Sequence, residues 1–169
     1  MKYAKLKLHP YSENFPKFFA KEKAKIVATL KGLKGFRIYH VGSTAVSGML
    51  GKGIIDIAIA IKDWKIRSKY VAKLKEIGFR FQALEEKYRL FLRRVDKTGL
   101  GDVHIHLVKL HSKEMQSLVG FRNLLRRNKS VAKRYGELKL AWLKLVKGDR
   151  IKFGKLKEKY IRKEIAQKL

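Results

Sequence analysis

Two stretches of the chain place ionisable side chains on strands that are otherwise apolar. Asp56 lies in "IIDIAIAI" (54–61), and His104 and His106 lie in "DVHIHLVKL" (102–110). Successive residues of a strand point to opposite faces, so the two histidines share one face. A carboxylate on a buried strand is unfavourable unless it is paired or binds metal, and histidines two residues apart can bind one metal or one anion. We expect all three side chains to face one cleft as catalytic or metal-binding groups.

Simpler explanations exist for both strands. Asp56 can form an ion pair with one of the many lysines, and a histidine pair can be the polar face of an edge strand. For Asp56 the functional interpretation is favoured, because the small side chains of Ala58 and Ala60 on its face leave room for a ligand. For His104 and His106 both interpretations stay open.

The turn before the apolar strand carries residue types that bind phosphate. Gly42 lets the backbone approach a phosphate, and Ser43 and Thr44 offer hydroxyl and N–H donors where a short helix begins. The same residues suit an ordinary turn, in which glycine adopts a positive φ and serine caps the helix. Spacing alone favours the ordinary turn.

The pair Gly51-Lys52 does not form a Walker A loop. That motif needs glycine at position 46 and serine or threonine at 53, where this chain has Val46 and Gly53. The sequence therefore does not favour a P-loop kinase, and we expect Lys52 to be a further pocket residue.

Two more side chains are expected near the same cleft. Arg89 lies on a neighbouring predicted strand and could clamp a phosphate, although a solvated arginine is equally consistent with its position. His40 is the last strand residue before the turn and is expected at the rim of the same pocket.

The elements that hold these residues follow from hydrophobic periodicity and from Gly and Pro positions. Strand 54–61 is apolar on both faces, which predicts that it lies inside the sheet. The C-terminal third is helical, so the pattern indicates an α+β fold in one domain over residues 1–169. Helices are predicted over 12–31, 64–77, 114–128, 130–146 and 155–168, strands over 36–41, 54–61, 79–84, 87–95 and 102–110, and a turn over 97–102.

Composition limits the class of protein. A chain of 169 residues with 46% hydrophobic content suits one globular domain. The absence of cysteine excludes disulfides, thiolate metal sites and a cysteine nucleophile, and it suits a cytoplasmic protein. The first residues, "MKYAKLKLHPYSENF", contain no apolar core of a signal peptide, and the longest apolar run is too short to cross a membrane.

The chain is strongly basic, with 42 lysines and arginines against 14 acidic residues and a net charge of +28. Such a field attracts polyanions. The basic residues are spread along the sequence, whereas a dedicated nucleic-acid surface usually concentrates them. Non-specific RNA binding and a generally basic, solvated surface therefore both remain open.

The motifs taken together resemble those of the GrpB family. "YHVGSTAVSGMLGKGIIDI" is similar to the family's His-hydrophobic-Gly-Ser-Thr turn and its Ile-Ile-Asp-Ile strand. The likeness continues in order along the chain, through "LHPYSENFPKFF", "EIGFRF", "YRLFLRRV", "VHIHLV" and "GFRNLLRRNKSVAKRYGELK".

The resemblance implies a nucleotidyltransferase-like fold, with a mixed sheet and helices packed around it. In that superfamily a Gly-Ser turn holds nucleotide phosphates, and strand carboxylates bind two divalent metals for nucleotidyl transfer. Gly42, Ser43 and Thr44 would then hold phosphate with Arg89, and Asp56 would be the metal ligand. The GrpB family itself supplies no established activity. We therefore expect binding of a nucleotide or phosphorylated small molecule, with metal-dependent nucleotidyl transfer as the implied reaction.

Three departures from the family pattern affect that expectation. Ala58 stands where the superfamily has a second strand carboxylate, Ser47 and Gly53 replace two prolines, and Asn123 replaces an acidic residue. The two-metal apparatus is therefore incomplete. Asp56 with His104 and His106 would instead hold one divalent ion, and this mixed oxygen and nitrogen set suits Mn²⁺, Zn²⁺ or Fe²⁺ better than Mg²⁺. The alternative is a catalytically inactive RNA- or ribosome-associated module of the same fold.

Overall fold

The predicted α+β architecture is confirmed by the computed structural model, which describes residues 5–95 and 102–167. Within these ranges, five strands form one sheet and the longer helices pack on both of its faces. In chain order the elements are α1 (Phe15–Thr29), β1 (Phe36–Val41), β2 (Ile55–Ile61), α2 (Arg67–Glu76), β3 (Arg80–Glu86), β4 (Arg89–Val95), β5 (Asp102–Lys109), α3 (Lys113–Arg127), α4 (Lys129–Leu145) and α5 (Arg150–Ala166). Two short 3₁₀ helices cover Ser43–Ala45 and Trp64–Ile66.

The sheet is mixed, with strand order β1-β2-β5-β4-β3. Strands β2 and β5 run parallel, and the other neighbouring pairs are antiparallel. The apolar β2 lies between two strands as predicted, and β5, which carries the histidines, is the central strand. The parallel register places Asp56 opposite His104, and opposed residues of paired strands project to the same face.

One face of the sheet forms the main hydrophobic core with α1 and α2. The four isoleucines of β2 at positions 55, 57, 59 and 61 are at most 5% exposed. They pack with Ile26 of α1, with Leu30 at its C-terminal cap, and with Tyr70 and Leu74 of α2. This alternation leaves the polar residues of β2 and β5 on the opposite face.

Helices α3, α4 and α5 form a bundle around a second core beside that polar face. Its centre is aromatic: the rings of Tyr135 and Tyr160 stack at 5.4 Å, and Phe121 meets Tyr135 edge-on at 5.1 Å. Val46 and Met49, which follow the glycine-serine turn, complete the core. The turn is therefore packed between the sheet and the bundle.

Two details differ clearly from the sequence-based predictions, and a third prediction is not tested. Helix α5 begins at Arg150 rather than 155, because the side chain of Asp149 caps it and accepts hydrogen bonds from the backbone N–H groups of Ile151 and Lys152. On α4, hydrophobic periodicity predicts that Leu138 faces inward with Val131, Tyr135 and Trp142. In the structure Lys139 is the buried residue, at 2% exposed, and Leu138 is only half-buried. The predicted turn over 97–102 lies outside the described residues except for the start of β5.

None of the helices in the described part of the chain combines the length and the apolar character that crossing a membrane requires.

Candidate functional site

A cavity of about 850 Å³ lies between the polar face of the sheet and the α3–α5 bundle. Basic side chains outnumber acidic ones on its walls. The basic residues are Lys52, Arg89, Lys113, Arg122, Lys139, Lys157 and Arg162, and the acidic residues are Asp56, Glu86, Glu114 and Glu158. A cavity of this size and charge suits a small anionic ligand.

The sheet contributes a cluster of one carboxylate and two imidazoles. His104 Nδ1 lies 3.3 Å from Asp56 Oδ1, and His106 Nε2 lies 3.8 Å from the same oxygen. The Phe91 ring meets His104 edge-on at 4.9 Å and stacks on His106 at 5.4 Å, which restricts both imidazoles. The structure therefore brings together the three side chains that the strand pattern placed on one face.

The cluster keeps Asp56 ionised. Burial alone would raise the pKa of Asp56, but hydrogen bonds from His104 and His106, together with their charge, hold that pKa well below its usual range. A carboxylate on Nδ1 also orients the His104 ring and turns Nε2 away from the carboxylate. His104 lines the cavity, so this arrangement can transfer a proton at a bound ligand.

The glycine-serine turn packs directly against Asp56. Gly42 has φ 73°, and a Cβ at this position would overlap the Asp56 carboxylate, whose Cβ and Cγ atoms would lie 3.0 Å away. Only glycine combines this backbone conformation with so close an approach. Gly42 therefore brings the turn and the carboxylate to the same end of the cavity.

The two hydroxyls of the turn have different surroundings. Thr44 is 3% exposed; its Oγ1 donates to the Ile54 carbonyl at 3.0 Å and lies 3.0 Å from His40 Nε2. The Thr44 hydroxyl holds the turn to the residue before β2 and is therefore already occupied. Phosphate binding by Thr44 stays a prediction, and it would have to use the backbone N–H. Ser43 Oγ instead accepts a hydrogen bond from Lys139 Nζ at 3.1 Å beside the cavity.

His40 does not line this cavity, and its predicted position at the rim is wrong. Val41, not His40, pairs with Asp56 in the sheet, so His40 projects to the opposite face with Ile57. There it stacks on Phe19 of α1 at 4.5 Å. Burial, helped by nearby arginines and opposed by Asp56, lowers the pKa of His40 to about 4. The imidazole is therefore neutral and has a structural role.

Lys139 is a cavity residue that sequence reasoning missed. Its Nζ donates to Ser43 Oγ and to the Leu50 carbonyl and lies 4.8 Å from the centre of the Tyr135 ring. Burial and the charge of Lys157 lower the pKa of Lys139 to about 7. The available signal was spacing, because Lys139 follows Val131 and Tyr135 at intervals of four on the buried face of α4.

Lys52 and Arg89 both line the cavity, and their contact with a ligand stays a prediction. Lys52 Nζ lies 5.9 Å from the centre of the Phe153 ring. Burial is the main cause that lowers the pKa of Lys52, and the charges of Lys157 and Arg150 lower it further. The negative charge of Asp56 acts in the opposite direction, and the resulting pKa is about 8. Arg89 lies two residues before Phe91 on β4 and projects from the same face of the sheet.

Arginines of α3 tether the turn, and sequence reasoning missed these as well. Arg122 Nη1 donates to the His40 carbonyl at 2.8 Å, and Arg126 Nε donates to the Ala45 carbonyl at 2.8 Å. The Arg122 guanidinium is held in turn by Asn123 Oδ1, which accepts from Nε at 3.0 Å and from Nη2 at 2.8 Å. The amide of Asn123 thus supplies an acceptor where the family pattern has a carboxylate.

A two-metal site of the nucleotidyltransferase type does not fit these residues. Ala58, at the position of the second strand carboxylate, is fully buried, and Asp56 Oδ1 already contacts both imidazoles. Over residues 5–95 and 102–167, no group of three His, Asp or Glu side chains is arranged to hold a metal ion. Binding of one ion by Asp56, His104 and His106 therefore gains no support and stays a prediction.

Comparison with known proteins identifies relatives of both sequence and fold. A family model described as "GrpB protein" matches residues 5–167. The UPF0157 protein BH1888 of Halalkalibacterium halodurans is 32% identical over 136 residues, which is 80% of this chain and 68% of that protein.

Two solved structures extend the comparison to the fold. The conserved protein GrpB from Enterococcus faecalis superposes with a TM-score of 0.78 at 25% identity, covering 95% of this chain and 96% of that one. The Cid1 poly(U) polymerase bound to MgATP superposes with a TM-score of 0.56 at 14% identity, covering 78% of this chain and 42% of that one. The likeness to Cid1 concerns the fold alone, and it confirms the predicted nucleotidyltransferase-like architecture.

Proposed function

The chain belongs to the GrpB family, and we propose that it binds a nucleotide or another phosphorylated small molecule in the cavity between its sheet and its helical bundle. One observation carries this proposal: the Gly42-Ser43 turn and the Asp56–His104 pair line the same cavity, and most of the charged side chains on its walls are basic. The structure of this chain supports it, since the glycine-serine turn packs against the strand aspartate Asp56.

The phosphate end of the ligand is assigned to the turn. Ser43 offers a hydroxyl beside the Lys139 ammonium group, and Lys52 and Arg89 line the same cavity. Arginine matches phosphate with two parallel N–H groups, and lysine matches it as a point charge. A phosphate placed here would receive both kinds of contact.

The chemical step, if the bound molecule reacts, is assigned to Asp56 and His104. The carboxylate holds the imidazole by Nδ1, so His104 Nε2 is the atom that would accept or give a proton. His106 packs beside it on Phe91 and adds to the charge that keeps Asp56 ionised. Nucleotidyl transfer through two metals is not part of this proposal, because Ala58 provides no second carboxylate.

A thermal-shift panel tests the binding function. The panel contains the four ribonucleoside triphosphates, their monophosphates and phosphorylated sugars, each with EDTA and with Mg²⁺, Mn²⁺ or Zn²⁺. A ligand at 100 times its Kd stabilises the fold by about 2.7 kcal/mol, which at this chain length raises Tm by roughly 5–10 °C. We expect at least one phosphorylated compound to do so while its unphosphorylated counterpart does not. Equal Tm values across the whole panel would contradict the proposal.

The net charge of +28 favours a second candidate, an RNA- or ribosome-associated module without catalysis. This candidate would bind RNA through exposed basic side chains and would bind no ligand in the cavity. It is distinguished from the first by where a ligand binds, since nucleotide binding by the first candidate depends on Lys139 in the cavity and RNA binding by the second does not.

A further inference from the structure

We propose that the cavity binds a di- or triphosphate chain without a divalent metal, with the ammonium groups of Lys52, Lys139 and Lys157 supplying the positive charge that metals supply in related folds. This names the ligand class of the same cavity and therefore rests on the phosphate-binding function proposed above. The three lysines come from three separate segments, namely the loop before β2, helix α4 and helix α5, and all line the cavity.

The burial of Lys139 is the first observation. Its side chain is 2% exposed, yet the partners of Nζ are neutral: the Ser43 hydroxyl, the Leu50 carbonyl and the face of Tyr135. A buried ammonium group is unfavourable unless a negative charge compensates it. In the described ranges none of the three lysines forms an ion pair. An anionic ligand in the cavity would provide the missing charge.

The mutual repulsion of the lysines is the second observation. Burial is the main cause that lowers the pKa of Lys139 to about 7 and that of Lys52 to about 8, and the charge of Lys157 lowers both further. The charge of Lys157 therefore repels the ammonium groups of two other lysines that line the same cavity. A phosphate chain carries several adjacent negative charges, so it can compensate all three ammonium groups at once, whereas a single carboxylate ligand cannot.

The surroundings of Asp56 are the third observation. One of its oxygens contacts both imidazoles, and its carboxylate abuts Gly42. Together with the alanine at position 58, this leaves no set of oxygen ligands of the kind Mg²⁺ requires. A magnesium ion bound to the phosphates would also bring two positive charges next to the lysines. Magnesium is therefore expected to weaken binding, whereas a metal-dependent site would require it.

Isothermal titration calorimetry with inorganic tripolyphosphate and with ATP tests the inference on the full chain. Each ligand is titrated in EDTA and in excess Mg²⁺, with wild type and with Lys139→Met, Lys157→Met and Lys163→Met. Lys163 is an exposed lysine of α5 and controls for a general loss of charge. We expect binding in EDTA that is as tight as in Mg²⁺ or tighter. We expect about tenfold weaker binding for Lys139→Met and for Lys157→Met, and a change of less than about twofold for Lys163→Met.

The outcomes separate this inference from the function on which it rests. Binding that appears only with Mg²⁺ would overturn the metal-free assignment and leave the proposed function intact. The assignment of the lysines would be overturned if Lys163→Met weakened binding in EDTA as much as Lys157→Met does. It would also be overturned if neither Lys139→Met nor Lys157→Met weakened that binding. Absence of binding by any polyphosphate or nucleotide under both conditions would remove the proposed function itself. Because Lys157 is only half-buried, Lys157→Met provides a test even if Lys139→Met fails to fold.

Discussion

Asp56 combines two properties that a purely structural aspartate does not need. Its carboxylate is held ionised by two imidazoles, and it faces a cavity in which basic side chains predominate. A scaffold aspartate would be expected to pair with a lysine, of which the cavity offers several. The structure pairs Asp56 with His104 instead, which preserves a group that can exchange a proton.

Substitution of Asp56 by asparagine separates a ligand-binding role from a scaffold role. Asparagine keeps the size and can still accept a hydrogen bond from His104, but it removes the negative charge. We expect Asp56→Asn to fold with a loss of up to about 3 kcal/mol in the free energy of unfolding. It should keep its stabilisation by ATP in EDTA and lose any stabilisation by Mn²⁺ or Zn²⁺, because a cation needs the carboxylate charge and a polyanion does not. Thermal shift with ATP in EDTA and with each metal measures these effects. Asp63→Asn, at an exposed aspartate that caps the second 3₁₀ helix, is the control. A variant that is severely destabilised yet responds to the metals as the wild type does would assign Asp56 to the scaffold.

Lys139 predicts a pH dependence of stability that is opposite in sign to the pH dependence of ligand binding. The pKa of Lys139 is about 7 in the folded protein against 10.5 ordinarily, so between these values the unfolded chain binds more protons. Stability of the ligand-free protein should therefore rise between pH 7 and pH 9, by on the order of 2–3 kcal/mol from this lysine. Over the same range, affinity for a polyphosphate should fall, because the ammonium group is being lost.

Urea unfolding at pH 7 and pH 9 measures the effect on stability. Lys139→Met should lose most of the rise, and the remainder should come from Lys52, whose pKa is about 8. Lys163→Met should keep the full rise. An unchanged rise in Lys139→Met would show that the buried ammonium group is not responsible.

At the scale of elements, the site depends on how α3 holds the turn against the sheet. Arg122 reaches the carbonyl of His40, the penultimate residue of β1, and Arg126 reaches the carbonyl of Ala45 at the end of the 3₁₀ helix. The turn between them carries Gly42 and Ser43. Helix α3 therefore positions the turn, which is the proposed phosphate end of the cavity, through these two arginines.

Arg122→Lys tests that positioning role while it preserves the charge. Lysine cannot donate to the His40 carbonyl and also make the paired contact to Asn123, so at least one of these bonds is lost. We expect a loss of about 1–2 kcal/mol in stability and a weaker response to nucleotide. Arg127→Lys, at an exposed position of the same helix, should change neither quantity. An Arg122→Lys variant with wild-type stability and wild-type binding would contradict this account of α3.

Strand periodicity explains why the Asp56 cluster could be predicted from sequence. Alternation places His104 and His106 on one face of β5, and apolar neighbours on both sides of Asp56 mark β2 as buried. Periodicity does not specify which strands become neighbours. The parallel pairing of β2 with β5, which brings Asp56 opposite His104, follows from a crossover of about forty residues.

The predictions that failed did so for a local reason. His40 was placed beside the turn by its position in the chain, but a shift of one residue in a strand reverses the face. Lys139 was overlooked because an inward lysine contradicts hydrophobic patterning, and the helix was therefore assigned Leu138 at that position. At functional sites, polar residues often occupy buried positions where hydrophobic periodicity predicts apolar ones. An assignment based on periodicity therefore overlooks these residues.

For the whole molecule, the net charge of +28 predicts attraction of polyanions without specifying a partner. We expect RNA to bind weakly and without sequence preference, with a log–log dependence of affinity on salt that reflects several phosphate contacts. Electrophoretic or fluorescence titrations of several unrelated RNAs between roughly 50 and 200 mM salt, a range over which the Debye length falls about twofold, measure this. A tight complex with one defined RNA at physiological salt would favour the RNA-associated module over the small-molecule pocket.

The location of a bound nucleotide tests the central claim most directly, because affinity alone cannot separate a cavity ligand from a counterion on a basic surface. The measurement is a ¹H–¹⁵N NMR titration of the full chain with ATP in EDTA. We predict saturable shifts concentrated in the backbone amides of Gly42, Ser43 and Thr44 and in the parts of α4 and α5 around Lys139 and Lys157. Shifts that stay linear in ATP concentration, or that are spread over exposed lysines while the turn is unchanged, would contradict the account.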